Sequence, residues 1–236
     1  MKYKLIIILL VTYSLIANSF QASAQTSAEF LVSWQAKNYT PSEFKGKALP
    51  SRGSQVNASF ELIQDGKLVN LSKTEVRWFL NKKLEKSGLG LKTISFFIPR
   101  AATGGQFLKI SLPAYKGAKL EQSVFIPLAE PEIVIDAPYP DGRITAGNNI
   151  FTLLPYFFNN IITPQQLSVR WEANNLPAVA ESESPHVLNL DASLGKSGEQ
   201  IRLTVAAVNS LDDLEFANTT LKLEIQWRVL AKNYYC

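Results

Sequence analysis

Apolar and polar residues alternate with a period of two along much of the chain. Val56, Ala58, Phe60 and Leu62 alternate with Asn57, Ser59 and Glu61, which gives a strand one buried and one wet face. Thr93-Ile94-Ser95-Phe96-Phe97-Ile98 and Ser123-Val124-Phe125-Ile126 are β-branched and aromatic, bounded by Gly or Pro. Val187 to Leu190, Ile201 to Val208 and Leu221 to Trp227 continue the pattern. Asp65-Gly66 signals a tight turn after one of these strands. No window sustains a 3.6-residue apolar period between caps, so the pattern predicts an all-β chain with minor helices.

The pattern repeats. Val76-Arg77-Trp78 recurs 93 residues on as Val169-Arg170-Trp171, and Gly105 with Leu108 to Leu112 recurs at the same spacing as Gly198 with Ile201 to Val205. That period is too long for a solenoid and suits a small β-domain. Two prolines in Pro127-Leu128-Ala129-Glu130-Pro131 stiffen a short linker. The expected units are therefore 25–128 and 129–236, the second ending in a short tail, with Trp78 and Trp171 as core residues. Trp34 and Trp227 read as core or half-buried. The stretch from Asn38 to Ser54 is long for a sandwich connection and holds Pro41, Gly46, Pro50 and Gly53; such loops are either functional or mobile.

Val-Arg-Trp on one strand, followed by Gly and an alternating strand, resembles bacterial immunoglobulin-like repeats of the polycystic-kidney-disease type. There is also similarity to secreted bacterial proteins of unassigned role. The resemblance implies two tandem immunoglobulin-like β-sandwich domains, the Trp in each core and the Gly before a central strand. The family's Asp- and Gly-rich turn after the Trp strand is missing: Phe79-Leu80-Asn81-Lys82 and Glu172-Ala173-Asn174-Asn175 stand there instead.

Residues 1–24 read as a signal peptide. Lys2 and Lys4 precede an apolar run from Leu5 to Ala17, and Ala22-Ser23-Ala24 supplies the cleavage pattern. A helix of that run rises about 20 Å, short of the ~30 Å hydrocarbon core. Membrane contact would require the segment to stay uncleaved as an anchor. The expected location is outside the cytoplasm, in the periplasm, at the cell surface or beyond. Cys236 is the one cysteine, so cores rather than disulfides must stabilise the fold.

Composition narrows the chemistry. One His and one Cys deny the chain the usual nucleophile–base pairs and any zinc site without two carboxylates. His186 is expected in an exposed loop, and Gly104-Gly105 is a turn, not a phosphate cradle. No cofactor is implied. Calcium is the one metal worth weighing, at Glu130, Glu132, Asp136 and Asp141 near the linker or at Asp212, Asp213 and Glu215. An enzyme is not expected.

Aromatic residues supply the binding candidates. Tyr39 and Phe44 in the long loop are placed to stack on sugar rings. Tyr156 and Phe158 lie in a run from Ile150 to Ile162 that is apolar at both parities, so some of it should face a partner or a covered join. Pro155 within it marks an edge or bulge.

Charge separates the halves. Residues 25–128 hold 15 Lys/Arg against 7 Asp/Glu, a net of +8, whereas 129–236 hold 7 against 13, a net of −6. Lys82, Lys83 and Lys86 form the densest positive cluster. The field steers the basic end toward an envelope protein, an anionic wall polymer or the acidic half of another copy, head to tail. Nucleic acid is excluded by location. The sequence thus predicts an exported, non-enzymatic interaction or structural module of the bacterial cell envelope. A carbohydrate- or peptide-binding adhesin is the alternative. A periplasmic chaperone for surface fibres is another, although that family's paired basic anchors and its Asn-Pro-x-Pro-Tyr-like strand have no counterpart.

Overall fold

A computed structural model describes residues 28–137, 139 and 141–226. Residues 1–24, expected from the sequence to be a signal peptide, lie outside the described residues, as do Trp227 and Cys236. The first half contributes β1 (Glu29–Ala36), β2 (Gln55–Gln64), β3 (Lys67–Leu68), β4 (Glu75–Leu80), β5 (Lys83–Leu89), β6 (Thr93–Phe97), β7 (Gln106–Tyr115) and β8 (Ala118–Ile126). The second contributes β9 (Glu132–Asp136), β10 (Arg143–Thr145), β11 (Asn148–Tyr156), β12 (Leu167–Ala173), β13 (Leu176–Ala178), β14 (Val187–Asp191), β15 (Gln200–Asn209) and β16 (Asp212–Gln226).

The strands form four sheets. β1-β2-β3, with β6 also on β2, accompanies β5-β4-β7-β8; β14-β11-β9 accompanies β10-β16-β15-β12-β13. Both halves follow one path. A hairpin leaves the Trp strand, the chain crosses to the other sheet for one strand, and it returns for a final hairpin. This is the crossing pattern of an immunoglobulin-like sandwich, and the chain is a tandem of two. The second half adds β10, which runs parallel to β16.

By compactness the chain divides differently. Among the described residues the smaller unit is 28–31 with 61–70. Its centre is the β2–β3 hairpin, in which Ile63 faces Leu68 and Gln64 faces Lys67. Asp65 and Gly66 take φ of 54° and 71°, the left-handed pair that a two-residue hairpin turn needs. The larger unit spans the described residues of 32–60 and 71–226 and holds the sites described below.

Each Trp is buried by its own half. Trp78 is 0% exposed and meets Phe60 edge-on, ring centroids 5.5 Å apart; Trp171 is 2% exposed within the second core. Neither indole nitrogen is left unpaired: Trp78 Nε1 donates to the Leu91 carbonyl at 2.9 Å and Trp171 Nε1 to that of Pro185 at 3.0 Å. The turns after the two Trp strands also match. Asn81 and Lys82 (φ 48° and 73°) close β4–β5, and Asn174 and Asn175 (φ 50° and 64°) close β12–β13. Asn tolerates this conformation, which accounts for three of the four positions without an Asp or Gly, and Lys82 is the exception, a non-glycine held at φ 73°.

One expected equivalence is displaced. Trp78 pairs with Ile110 and Trp171 with Val205, so the strands after the two glycines correspond at 95 residues rather than 93. The shift is two residues, which preserves the inward face. The glycines themselves differ. Gly198 has φ of 85°, whereas Gly105 is small because the Phe125 ring lies where its Cβ would be.

Candidate functional site

The outer face of the β5-β4-β7-β8 sheet carries Lys82 and Lys109, whereas Lys83 and Lys86 stand opposite the buried Leu80 and Trp78 and so project on the other side of the sheet, toward β6. Register places Asn81 beside Phe107, where the Asn81 side chain accepts the Phe107 N–H at 2.9 Å, and Phe107 opposite Phe125. The two rings are 5.2 Å apart and 58% and 52% exposed. One step along, Phe79 lies opposite Lys109, whose Nζ sits 4.6 Å above its ring. A cavity of about 400 Å³ is lined here by Asn81, Lys82, Phe107, Lys109 and Ser123. Lys82, Lys83 and Lys86 are all exposed. Lys83 reaches Glu85 at 3.8 Å, a surface pair of little energetic weight. Lys109 and Lys119 approach Glu121 at 3.3 and 2.9 Å, and hydrogen bonds from Lys119 and then Ser111 lower its carboxyl to about 2. Of the predicted site residues, the structure thus brings Lys82 to an exposed aromatic surface. Phe107 and Phe125 were missed because a strand facing solvent on one side needs no apolar residue there, and alternation alone does not mark one.

The long loop brings the aromatic candidates to the join between the sandwiches. Asn38 bridges to Asn159 in antiparallel fashion; Tyr39 N–H donates to the Phe158 carbonyl and Phe157 N–H to that of Tyr39, both at 2.8 Å. Phe44 meets Tyr156 and Phe157 edge-on at 5.7 and 5.9 Å. Tyr39 packs against the second core, where burial raises its hydroxyl pKa. Tyr39, Phe44 and Tyr156 therefore pack on protein. Phe158 is a correction: it is 0% exposed within the second core and presents nothing to a ligand. The cause is Phe157, whose φ of 62° breaks the strand alternation and turns both side chains inward. Pro155 lies on the middle strand of its sheet, but β14 ends opposite Thr152, so the strand has a neighbour on one side only there.

Beside these rings a polar network crosses the join. Glu215, 6% exposed, accepts the Asn159 N–H at 2.9 and 3.0 Å on its two oxygens, Asn209 Nδ2 at 2.5 Å and Ser51 Oγ at 3.3 Å. Ser54 Oγ donates to Asn159 Oδ1 at 2.6 Å, and Asn159 Nδ2 returns to the Arg52 carbonyl at 2.8 Å. Burial raises the Glu215 carboxyl pKa against the opposing pull of its donors, Asn209 first. Two exposed pairs flank the network, Arg52 with Glu130 and Arg100 with Asp212, each at 2.5 Å.

Of the calcium candidates, Glu130, Asp212 and Asp141 are paired with arginines and Glu215 is held by amides. Among the described residues no group of three or more His, Cys, Asp or Glu could hold a metal. His186 corrects another expectation, being half-buried rather than on an exposed loop. Its carbonyl accepts the Leu153 N–H at 2.8 Å, and burial lowers its imidazole pKa. A second concavity, about 520 Å³, runs along β1, β2 and β6 past Trp34, Asn57, Ser59, Thr93 and Ser95. Trp34 is half-buried there, with Lys47 Nζ 3.3 Å over its ring. Among the described residues no helix is long and apolar enough to cross a membrane.

No family model and no curated protein matches the chain. Among solved structures, it is similar to the fibronectin(III)-like modules of CbhA from Clostridium thermocellum, at 15% identity and a TM-score of 0.31, over 87% of this chain and 100% of that one. It is similar to the tandem Ig repeats of Dlar at 12% and 0.26, over 86% and 100%. A third is SGBP-B of the Bacteroides ovatus mixed-linkage glucan utilization locus, at 11% and 0.25, over 82% and 47%. Likenesses of this size carry no argument about what this chain does.

Proposed function

We propose that the chain is an exported, non-enzymatic interaction module of the cell envelope that engages an anionic partner through the outer face of the β5-β4-β7-β8 sheet. The observation that supports this reading most is the exposed Phe107–Phe125 pair with Lys82 and Lys109 at its side. Exposed apolar groups rimmed by charge mark contact surfaces, and the +8 balance of residues 25–128 favours an anionic partner. A poly(glycerol phosphate) chain, the chemistry of an anionic wall polymer, is the direct probe. The mature chain should bind it and ignore a neutral glucan of equal length. Equal binding to both would overturn the reading.

The neutral glucan would succeed if the second concavity is the working site. Its hydroxyls and amides, with Trp34 at the wall, favour a carbohydrate-binding adhesin. Binding of neutral glycan that is lost with Trp34→Ala and kept in high salt would support that reading instead.

A further inference from the structure

We infer that the anionic partner of this sheet face is a second copy of the chain, bound through the apolar outcrop at the β15–β16 hairpin. The inference rests on the function proposed above and names the partner. Leu211, Leu214 and Phe216 are 69%, 77% and 60% exposed. Their exposure is imposed by the strand. Ile225, Leu223, Ala217 and Glu215 point inward along β16, so the even positions Leu214 and Phe216 must point out. Phe216 stands opposite Val208, which extends the outcrop onto β15. The chain therefore carries two apolar surfaces, Phe107 with Phe125 and Leu214 with Phe216, one on each sandwich.

Charge decides how they pair. The first lies in the half of net charge +8 and has Lys82 and Lys109 beside it; the second lies in the half of net charge −6. Arg52 and Arg100 near Leu214 are paired with Glu130 and Asp212, and the exposed Asp213 is left as the charge next to Leu214. Like surfaces brought together would set like charges against each other, whereas the first laid on the second opposes Lys to Asp and buries both apolar groups. Two different patches meeting is a heterologous contact, which either closes symmetrically or continues into a chain of copies.

Sedimentation velocity of the mature chain tests this at low salt and at 1 M salt, alongside two double variants. Phe107→Ser with Phe125→Ser removes the first surface, and Leu214→Ser with Phe216→Ser removes the second. All four side chains are exposed, and circular-dichroism melting checks that the variants stay folded. The parent should associate at low salt and dissociate at high salt, and each variant alone should be monomeric. An equimolar mixture of the variants should associate again, since each keeps the surface that the other lacks. A parent that stays monomeric, variants that associate like the parent, or a mixture that stays monomeric would each overturn the inference. If the parent is monomeric yet binds poly(glycerol phosphate) through Lys82 and Lys109, the self-association alone fails; loss of that binding as well removes the proposed function.

Discussion

The backbone N–H of Asn159 is held by both carboxylate oxygens of Glu215, at 2.9 and 3.0 Å, with both residues buried. The same carboxylate takes Asn209 Nδ2 and the Ser51 hydroxyl. Glu215→Ala leaves the Asn159 N–H and one hydrogen of the Asn209 amide without an acceptor, while the other keeps the Asn159 carbonyl at 2.8 Å. At about 1–3 kcal/mol for each orphaned buried donor, the expected loss is about 3 kcal/mol, read by urea unfolding. A loss within experimental error of zero would show that the network contributes no stability.

The carboxyl of Glu215 also sets a pH dependence of defined sign. Burial raises its folded pKa, so its contribution is fully present below the ordinary value near 4.5 and is lost as pH rises through the folded pKa. Relative to Glu215→Gln, the parent should therefore gain stability as pH falls from 7 toward 4.5, and the difference should level off below that. Glu121 acts oppositely. Its carboxyl is lowered to about 2, so its contribution holds above 4.5 and fades as pH falls toward 2. Unfolding curves of the parent and both Gln variants across this range check the two signs.

Trp78→Ala and Trp171→Ala should each cost about 3–5 kcal/mol, the range for truncating a core aromatic. We propose that residues 25–128 and 129–236 fold separately, so each change should lower one melting transition in calorimetry and spare the other. A single transition moved equally by both would show that the polar join couples the halves.

Gly105→Ala probes the aromatic surface without touching its charges. A Cβ at this position would lie 2.1 Å from the Phe125 ring and 3.0 Å from the Ile126 carbonyl oxygen. The ring end can swing away, so the fold should survive with Phe125 displaced. Binding through this face should weaken while the melting temperature changes little; unchanged affinity would remove Phe125 from the contact.

Much of the fold was legible because its cues are local. Alternation around Val56 to Leu62, the Asp65-Gly66 turn and the repeated Val-Arg-Trp each depend on neighbours in sequence. The candidate surfaces depend on register, which is not local. Leu214-Glu215-Phe216 reads as apolar residues inside and an acid outside, but the long strand running to Gln226 fixes the opposite parity. Phe158 needed the left-handed backbone of Phe157, a conformation that a bulky aromatic adopts only under tertiary constraint. The Asn38–Ser54 loop could be singled out for its length, yet its partners Asn159 and Glu215 lie more than 100 residues away.

The central claim, that the basic sheet face binds an anionic partner, is tested most directly by titrating the mature chain with poly(glycerol phosphate) across a salt series. Affinity should fall steeply as the Debye length shrinks toward ~3 Å at 1 M salt, with a further loss of tenfold or more, on the order of 1.4 kcal/mol, in Lys82→Glu with Lys109→Gln, the two cations beside the Phe107–Phe125 pair. Affinity that is indifferent to both salt and these substitutions would contradict it.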